Sequence, residues 1–392
     1  MLCNNYYIKK LIGFKGIILE QLETFSDSTS ISFSLEVKTH NCPKCHQQTS
    51  KVHDYRIQMI KDISISGKKT YLYYKKRRYV CNHCNKKFYE KNDFLPRYQR
   101  MTSRLIKYII TRMKNVYSVS DIAKENNISP STALRLFRFI NYSLTKLPEV
   151  ISIDEFKGNA GGKKYQCILT DPQNKKVLNI LHGREQHILS DYFRKFNDRD
   201  KVKYFVMDMW QPYKDIAETY FKNATIVIDK FHFIRQVTWA FERIRKDEQK
   251  KFAKERRRYF KRSRSLLLKR MKYLTPEEID QVNVMLTTSE KLQKAYLLKE
   301  KFYDFVDSGD LESAKKNLKA WYMFVMSCRL EEFDKCSRTI FNWQKYILNS
   351  FICTYTNGYT EGVNNKIKVL KRNAYGVRNF WRFKNRIMHV MN

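Results

Sequence analysis

The spacing of apolar and polar residues changes several times along the chain, and each change predicts a different kind of element. From about Ile31 to Phe94, β-branched and aromatic residues such as Ile63, Ile65, Tyr71, Tyr73 and Tyr79 recur around a Ser66-Gly67 turn, which predicts strands. From Thr102 to Leu147 the period becomes helical, with Leu105, Ile106, Ile109, Ile110 and Met113 on one stripe, and Pro148 closes the unit. Between Val150 and Ile228 five short apolar runs (Val150 to Ile153, Tyr165 to Leu169, Val177 to Leu181, Tyr204 to Met207, Thr225 to Ile228) alternate with turns and two amphipathic stretches, which reads as α/β. From Phe231 to about Ser350 Gly and Pro nearly vanish, with Pro276 and Gly309 as the main punctuation, so long helices are expected. One more basic helix follows Thr356.

Composition adds a partner to this outline. The 392 residues hold 76 Lys plus Arg against 39 Asp plus Glu, a formal charge of +37, while 43% hydrophobic content is ample for folded cores. So large an excess of positive charge strains a compact fold unless a polyanion offsets it, so DNA or RNA is the expected partner. No run of 18 apolar residues occurs and Lys9, Lys10 and Lys15 interrupt the first segment, so neither a membrane span nor a signal peptide is expected, and the predicted location is the cytoplasm.

Four of the nine cysteines form two CxxC turns, Cys42-Pro-Lys-Cys45 and Cys81-Asn-His-Cys84. Two such turns can converge four thiolates on one ion and complete the closed tetrahedral shell of structural Zn²⁺, which stabilises a small β unit short of core. His46, His53 and His83 lie nearby, but four cysteines suffice. Between the turns, basic residues including Arg77 and Arg78 interleave with tyrosines, a pattern suited to lying along phosphates and equally compatible with a solvated basic sheet face.

Ser120 to Phe137 has the features of a helix-turn-helix. Ala123 is small where two helices cross, Asn126-Asn127 can take the left-handed conformation of the turn, Ser129 can cap, and Pro130 suits a first helical position. Ser131, Thr132 and Arg135 would then face base edges in the major groove.

Three carboxylates stand out by position. Asp154 ends the run Val-Ile-Ser-Ile, Asp208 ends Tyr-Phe-Val-Met, and Glu361 lies near the start of a helix after Thr356-Asn-Gly-Tyr-Thr. Acids at strand ends sit on rigid supports with open tips, and carboxylates are natural ligands for the hard divalent cations of phosphodiester chemistry. Competing acids are Asp171 in a hairpin turn, Asp229 after another apolar run, and Glu155, which should point to the face opposite Asp154. On spacing alone Asp229 is nearly as good a ligand as Asp208. Helical spacing places Asn364, Asn365 and Lys368 on or near the face of Glu361, where they could hold a DNA strand, and Lys371 and Arg372 add phosphate donors.

Taken in order, Arg77-Arg-Tyr-Val-Cys81-Asn-His-Cys84, the helix-turn-helix, Ile153-Asp-Glu-Phe156, Asp208-Met-Trp-Gln-Pro-Tyr213, Ile228-Asp-Lys-Phe-His-Phe233 and Asn357-Gly-Tyr-Thr-Glu-Gly-Val-Asn-Asn-Lys-Ile-Lys368 resemble the ISL3-type insertion-sequence transposases nearly end to end. The resemblance implies a multidomain α+β and α/β chain: a zinc ribbon (1–94), a helix-turn-helix (95–147), a ribonuclease H-like catalytic core (148–230), a helical insertion (231–350) and the last part of the core (351–392). It implies that Asp154, Asp208 and Glu361 are a DDE triad holding Mg²⁺, with Mn²⁺ as a substitute, and breaks the tie against Asp229. The implied activity is cleavage and transfer of DNA strands at element ends, by a form that is at least dimeric when both ends are held, working at the bacterial nucleoid. A nuclease that cuts without joining and a DNA-binding regulator with an inactive catalytic fold are the alternatives.

Overall fold

The computed structural model describes residues 2–138, 140, 142–262 and 264–392. By compactness the chain forms two units. The first comprises Met1–Asn141 with Val369–Val377 and Trp381–Val390; the second comprises Tyr142–Lys368 with Arg378–Phe380 and Met391–Asn392. The C-terminal stretch expected to belong wholly to the catalytic core is therefore divided between the two.

The first unit starts with α1 (Leu2–Ile12), followed by β1 (Ile17–Thr24), β2 (Ser28–Leu35), β3 (His40–Asn41), β4 (Gln48–Thr49), β5 (Val52–Ile65), β6 (Lys68–Val80) and β7 (Lys87–Tyr89). The long β5–β6 hairpin turns at Ser66-Gly67, both with positive φ. Its outer edge on the β6 side pairs in parallel with β2, giving the order β1-β2-β6-β5, with β7 also on β6. Phe33, Tyr74 and Phe94 stack over this sheet and close a small core with Ile31, Ile60 and Leu72.

Three short helices complete the unit: α2 (Ser103–Arg112), α3 (Val119–Glu125) and α4 (Pro130–Phe137). Thr102, Ser118 and Ser129 cap them, each side chain accepting from the backbone N–H three residues on. Asn127 takes φ +53° in the turn between α3 and α4, and Ala123 is buried at their crossing. Asn127 Nδ2 also donates to the Tyr71 hydroxyl at 2.7 Å and its carbonyl accepts from Lys61 at 2.6 Å, so this turn is fastened to the hairpin. A C-terminal helix belongs here as well: Arg386, buried, donates to the carbonyls of Met113, Asn115 and Tyr117 beyond the end of α2.

The second unit is built on β8 (Val150–Ala160), β9 (Lys163–Asp171), β10 (Lys176–Leu181), β11 (Tyr204–Met207) and β12 (Thr225–Ile228) in the order β10-β9-β8-β11-β12. The first three form an antiparallel meander, while β11 and β12 run parallel to β8. Their crossovers carry α5 (Gln186–Phe193) and α6 (Gln211–Tyr220). This is the ribonuclease H-like arrangement that the resemblance implies. The sequence from β12 then enters a helical block, α7 (Lys230–Lys250), α8 (Lys254–Arg262), α9 (Arg264–Leu268), α10 (Pro276–Leu286), α11 (Glu290–Val306), α12 (Leu311–Cys328) and α13 (Glu331–Leu348), before α14 (Gly358–Asn373) and α15 (Phe380–Met391).

Strand parity decides what each face carries. Ile151, Ile153, Phe205, Met207, Ile226 and Ile228 join the large core shared with α5, α6 and the helical block. Val150, Val206 and Val227 face the other way. Ser152 and Asp154 share the parity of Val150, Asp208 that of Val206, and Asp229 that of Val227, so all three acids belong to the face opposite the large core.

The helical block is anchored where Phe233 of α7, Phe302 and Phe305 of α11 and Trp321 of α12 meet, with Phe302 4.9 Å from Trp321 between ring centroids. Phe302 is 1% exposed. Phe302→Ala should lower unfolding free energy by about 3–5 kcal/mol, read from denaturant melts; a loss near zero would show that this cluster does not hold the block.

Candidate active site

Asp154 lies within β8, just past its parallel pairing with β11, and Asp208 follows the end of β11. With Glu155 they bring one carboxylate oxygen each to within 4.8 Å of one another. The strand-end position expected of Asp154 is not met, because β8 runs on along β9 to Ala160. Glu361, in the first turn of α14, is exposed and lines the same cleft together with His232, Arg235, Asn364, Asn365 and Lys368. The sequence had Glu155 pointing away from Asp154. Its partners do lie on the other side, since Arg184 Nη1 donates to it at 2.6 Å and the Tyr213 hydroxyl at 3.2 Å. The side chain is long enough that it still borders the pair of aspartates.

Neutral donors aim the two aspartates. Asn364 Nδ2 donates to Asp154 Oδ2 at 2.8 Å, and the Glu155 N–H donates to Asp154 Oδ1 at 2.7 Å. Asp208 Oδ1 accepts from Asn357 Nδ2 at 3.2 Å and contacts His232 Nε2 at 2.6 Å. Arg235 lies 3.0 Å from His232 Nδ1, and a guanidinium only donates. His232 Nδ1 is therefore the acceptor, which places the ring proton on Nε2, toward Asp208. Amides and a neutral imidazole orient the carboxylates without cancelling their charge. Burial, followed by the charge of Asp208, pushes Asp154 up to about 8. Crowded carboxylates held in this way suit a divalent cation, whose charge would relieve the repulsion.

Asp229 has a different task. It is 8% exposed; one oxygen caps α7 through the Phe231 N–H at 2.9 Å and the other accepts the Asn357 N–H at 2.8 Å. Asn357 thus touches both Asp229 and Asp208, and its side-chain amide oxygen accepts from the Ser152 hydroxyl. Thr360 completes a fully buried cluster, with its hydroxyl 2.9 Å from Ser152 and 2.7 Å from Thr170. These hydroxyls and amides seat the start of α14 on β8 and β9. Sequence reasoning missed Ser152, Thr170, Asn357 and Thr360 as site-forming residues; the one signal available was a serine inside the apolar run Val-Ile-Ser-Ile.

In the first unit, Cys42, Cys45, Cys81 and Cys84 also lie within 4.8 Å of one another. The two turns repeat one backbone pattern. Cys42 N–H reaches Gln47 and His46 N–H reaches Cys42, just as Cys81 N–H reaches Lys86 and Asn85 N–H reaches Cys81. His46 and Asn85 occupy the left-handed position of each turn, so His46 serves the turn while cysteines supply the four ligand atoms. Against the cost of burial, N–H groups of Cys45 and Lys44 and the Cys84 thiol bring Cys42 down to about 6, easing the first ionisation in the cluster.

Residues 151–387 match the ISL3 family model described as a transposase, 38–84 match a zinc finger of transposases IS204, IS1001, IS1096 and IS1165, and 90–141 match the helix-turn-helix domain of transposase family ISL3. The chain belongs to the ISL3 family of transposases. It is 24% identical over 384 residues to the transposase for insertion sequence element IS1001 of Bordetella parapertussis, covering 95% of this chain and 94% of that one. A Lactococcus lactis protein named ATP-dependent protease is 29% identical over 228 residues, 56% of this chain and 71% of its own length. The transposase for element IS1557 of Mycobacterium tuberculosis is 29% identical over 140 residues, 36% of this chain and 31% of its own.

As an insertion-sequence transposase with a helix-turn-helix, the protein acts on DNA, and its four-cysteine cluster within a zinc-ribbon family match supports structural Zn²⁺. No helix among the described residues is long and apolar enough to cross a membrane.

Several residues expected to contact DNA have other partners. Arg77 is 5% exposed and lies inside the ribbon unit, pairing with Glu90 and donating to the Leu35 carbonyl, while Glu90 also accepts from the Tyr74 hydroxyl at 2.6 Å. Its strand parity is that of fully buried Tyr79, which turns it inward rather than toward phosphates. Arg78 is engaged by Asp54, with Nε 2.9 Å from Oδ1. Asn364, expected to grip a DNA strand, is buried and committed to Asp154, because a position three residues beyond Glu361 turns toward the sheet. Asn365 and Lys368 are exposed at the cleft and joined to each other at 3.1 Å. Ser131 and Arg135 are exposed on α4 and Thr132 half-buried, while Lys371 and Arg372 stand in the last turn of α14.

Two outcomes follow from this geometry. The folded protein holds the Asp154 proton more tightly than the unfolded chain, so with no added divalent cation this group lowers stability as pH rises from about 4 to about 8. Asp154→Asn should remove that slope, and the melting temperature of the variant relative to wild type should climb across the window; parallel curves would refute the raised pKa. In the ribbon, Cys81→Ser should abolish retention of one Zn²⁺ per chain, counted by metal analysis after gel filtration, and lower the melting temperature of the first unit.

Proposed function

We propose that this transposase cuts and rejoins DNA at the cleft formed by Asp154, Asp208 and Glu361. The observation that carries the reading is the approach of Asp154, within β8, and Asp208, after the neighbouring parallel strand β11, to within 4.8 Å, in a cleft that Glu361 also lines. The three carboxylates would hold Mg²⁺ or Mn²⁺, which when bound polarises the phosphodiester and makes water, and later a 3′ hydroxyl, a competent nucleophile.

The chain's own groups prepare that site. Asn364 fixes the lone pairs of Asp154, and Asn357 with His232 fixes those of Asp208. Arg235 sets the His232 tautomer and so keeps the imidazole donating toward Asp208. Asn365 and Lys368 reach the open side of the cleft, where an amide and a cation can hold the strand to be cut. Glu155 is kept by Arg184 and Tyr213 as an outer acid of the cluster.

Recognition belongs to other parts of the chain. Ser131, Thr132 and Arg135 at the start of α4 read base edges of the element end, with Lys371 and Arg372 on phosphates, and the zinc ribbon supports this surface. Joining both ends to a target requires two copies of the end-binding surface, so the working form is an oligomer at the bacterial chromosome in the cytoplasm.

Asp154→Asn and Glu361→Gln should each reduce Mg²⁺-dependent cleavage and strand transfer to background on duplexes carrying the element's ends, while end binding in a gel-shift assay stays within about threefold of wild type. Wild-type activity in either variant would reject the triad. Cutting by the native protein without any joined product would make it a nuclease, and specific binding with no cutting at all would make it a regulator.

A further inference from the structure

The helix that begins in the cleft leaves it as a continuous exposed ridge. Asp229 caps α7 beside Asp208, and the first two turns present Phe231, 52% exposed, and Arg235 to the cleft. The same side of the helix continues through Trp239, 49% exposed, and then Arg243, Lys246 and Lys250, all exposed. At 100° per residue these six positions fall within an arc of roughly 120°, one side of the helix. Arg235 lies over both aromatic rings, 5.4 Å from Phe231 and 4.8 Å from Trp239. Farther out, α8 folds back so that Lys254, Arg257, Arg258 and Lys261 line a groove with Arg243 and Lys246.

This groove is neutralised only in part from within. Glu242 is taken by Arg245 and Arg264, and Asp247 by Lys250. The whole stretch from Arg243 to Arg270 has 14 Lys or Arg against three Asp or Glu. Such a concentration of cations repels itself unless a polyanion lies along it.

We propose that the outer part of α7 and the groove it forms with α8 bind the phosphate backbone of the DNA duplex that runs out of the cleft, as a second contact surface separate from the helix-turn-helix. This rests on the cleft being the place of strand cleavage. The helix supplies the ruler: Arg243 and Lys250 lie 11 and 18 residues beyond His232, or roughly 16 and 27 Å along the axis at 1.5 Å per residue. At 3.4 Å per base pair, the contacts fall about five to eight base pairs from the scissile phosphate. Phe231, Arg235 and Trp239 fill the interval with two aromatic faces and the cation held between them, a surface that tolerates any base sequence.

The test uses the full-length protein, without divalent cation, on two sets of duplexes carrying the element's own end. Short duplexes stop at the cleavage position, and long ones extend about ten base pairs beyond it on either side. Wild type should bind the long duplexes more tightly than the short on at least one side. Arg243→Glu with Lys246→Glu should weaken binding of the long duplex about tenfold, lower the slope of log Kd against log salt by about 2, and leave the short duplex unchanged. Arg243→Gln with Lys246→Gln should show the same pattern with a smaller loss, which guards against a folding defect in the charge reversal. Equal losses on short and long duplexes, or no loss on either, would overturn the proposal, as would a wild-type protein indifferent to duplex length. Because binding is read without cleavage, absence of catalysis in wild type would count against the cleavage reading and leave this measurement intact.

Discussion

The buried cluster of hydroxyls and amides beneath α14 is the constraint on which the second unit depends. Ser152 and Thr170 belong to adjacent strands near the start of the fold, whereas Asn357 and Thr360 lie about two hundred residues later. None of the four is exposed, so each polar atom must find its partner inside the protein or incur the cost of desolvation. That requirement specifies the position of α14 in a way apolar packing would not, since Val and Leu tolerate sliding by fractions of a turn and a directed hydrogen bond does not. The acids inherit this accuracy. Asn357 touches Asp208 and the cap of α7 at once, Thr360 immediately precedes Glu361, and Asn364 one turn later reaches Asp154.

The same cluster explains how a helical block can sit inside an α/β domain without disturbing its chemistry. The block leaves through Asp229, whose carboxylate caps α7, and returns through Asn357, whose N–H bonds to that same carboxylate at 2.8 Å. Exit and re-entry are thereby tied at one point. Everything between them can pack around Phe302 and Trp321 as a body of its own, and the cost of closing so long a loop grows only slowly with its length.

Much of this was legible in the sequence, and the limits of legibility are physical. Asp154 and Asp208 were locatable because apolar runs betray strands, although only Asp208 follows a strand end and β8 runs on past Asp154, where the apolar run stops but the pairing with β9 does not. The paired CxxC turns were readable because metal geometry demands that spacing. Asp229 was nearly indistinguishable from Asp208 by pattern, and what separates them is a helix cap that exists only once α7 has formed. Arg77 was misread because a cation among tyrosines suggests a surface, and its partner Glu90 comes from another part of the ribbon. Its parity with Tyr79 was the overlooked clue. Asn364 was read as a hand for DNA when its place on the helix turns it toward the sheet, and the residues seating α14 were invisible because serine, threonine and asparagine carry no pattern until their partners are known.

The division of the C-terminal segment has a consequence for the timing of synthesis. During translation the ribbon, the three short helices and every strand of the sheet emerge long before α14 and α15. Until then the nascent polypeptide lacks Glu361, the residues that orient both aspartates, and Arg386, which gathers the carbonyls following α2. A product released early inside the helical block would carry the three short helices without Arg386, and Asp154 and Asp208 without Asn364 and Asn357. The architecture thus makes the orientation of both aspartates wait on completion of the polypeptide.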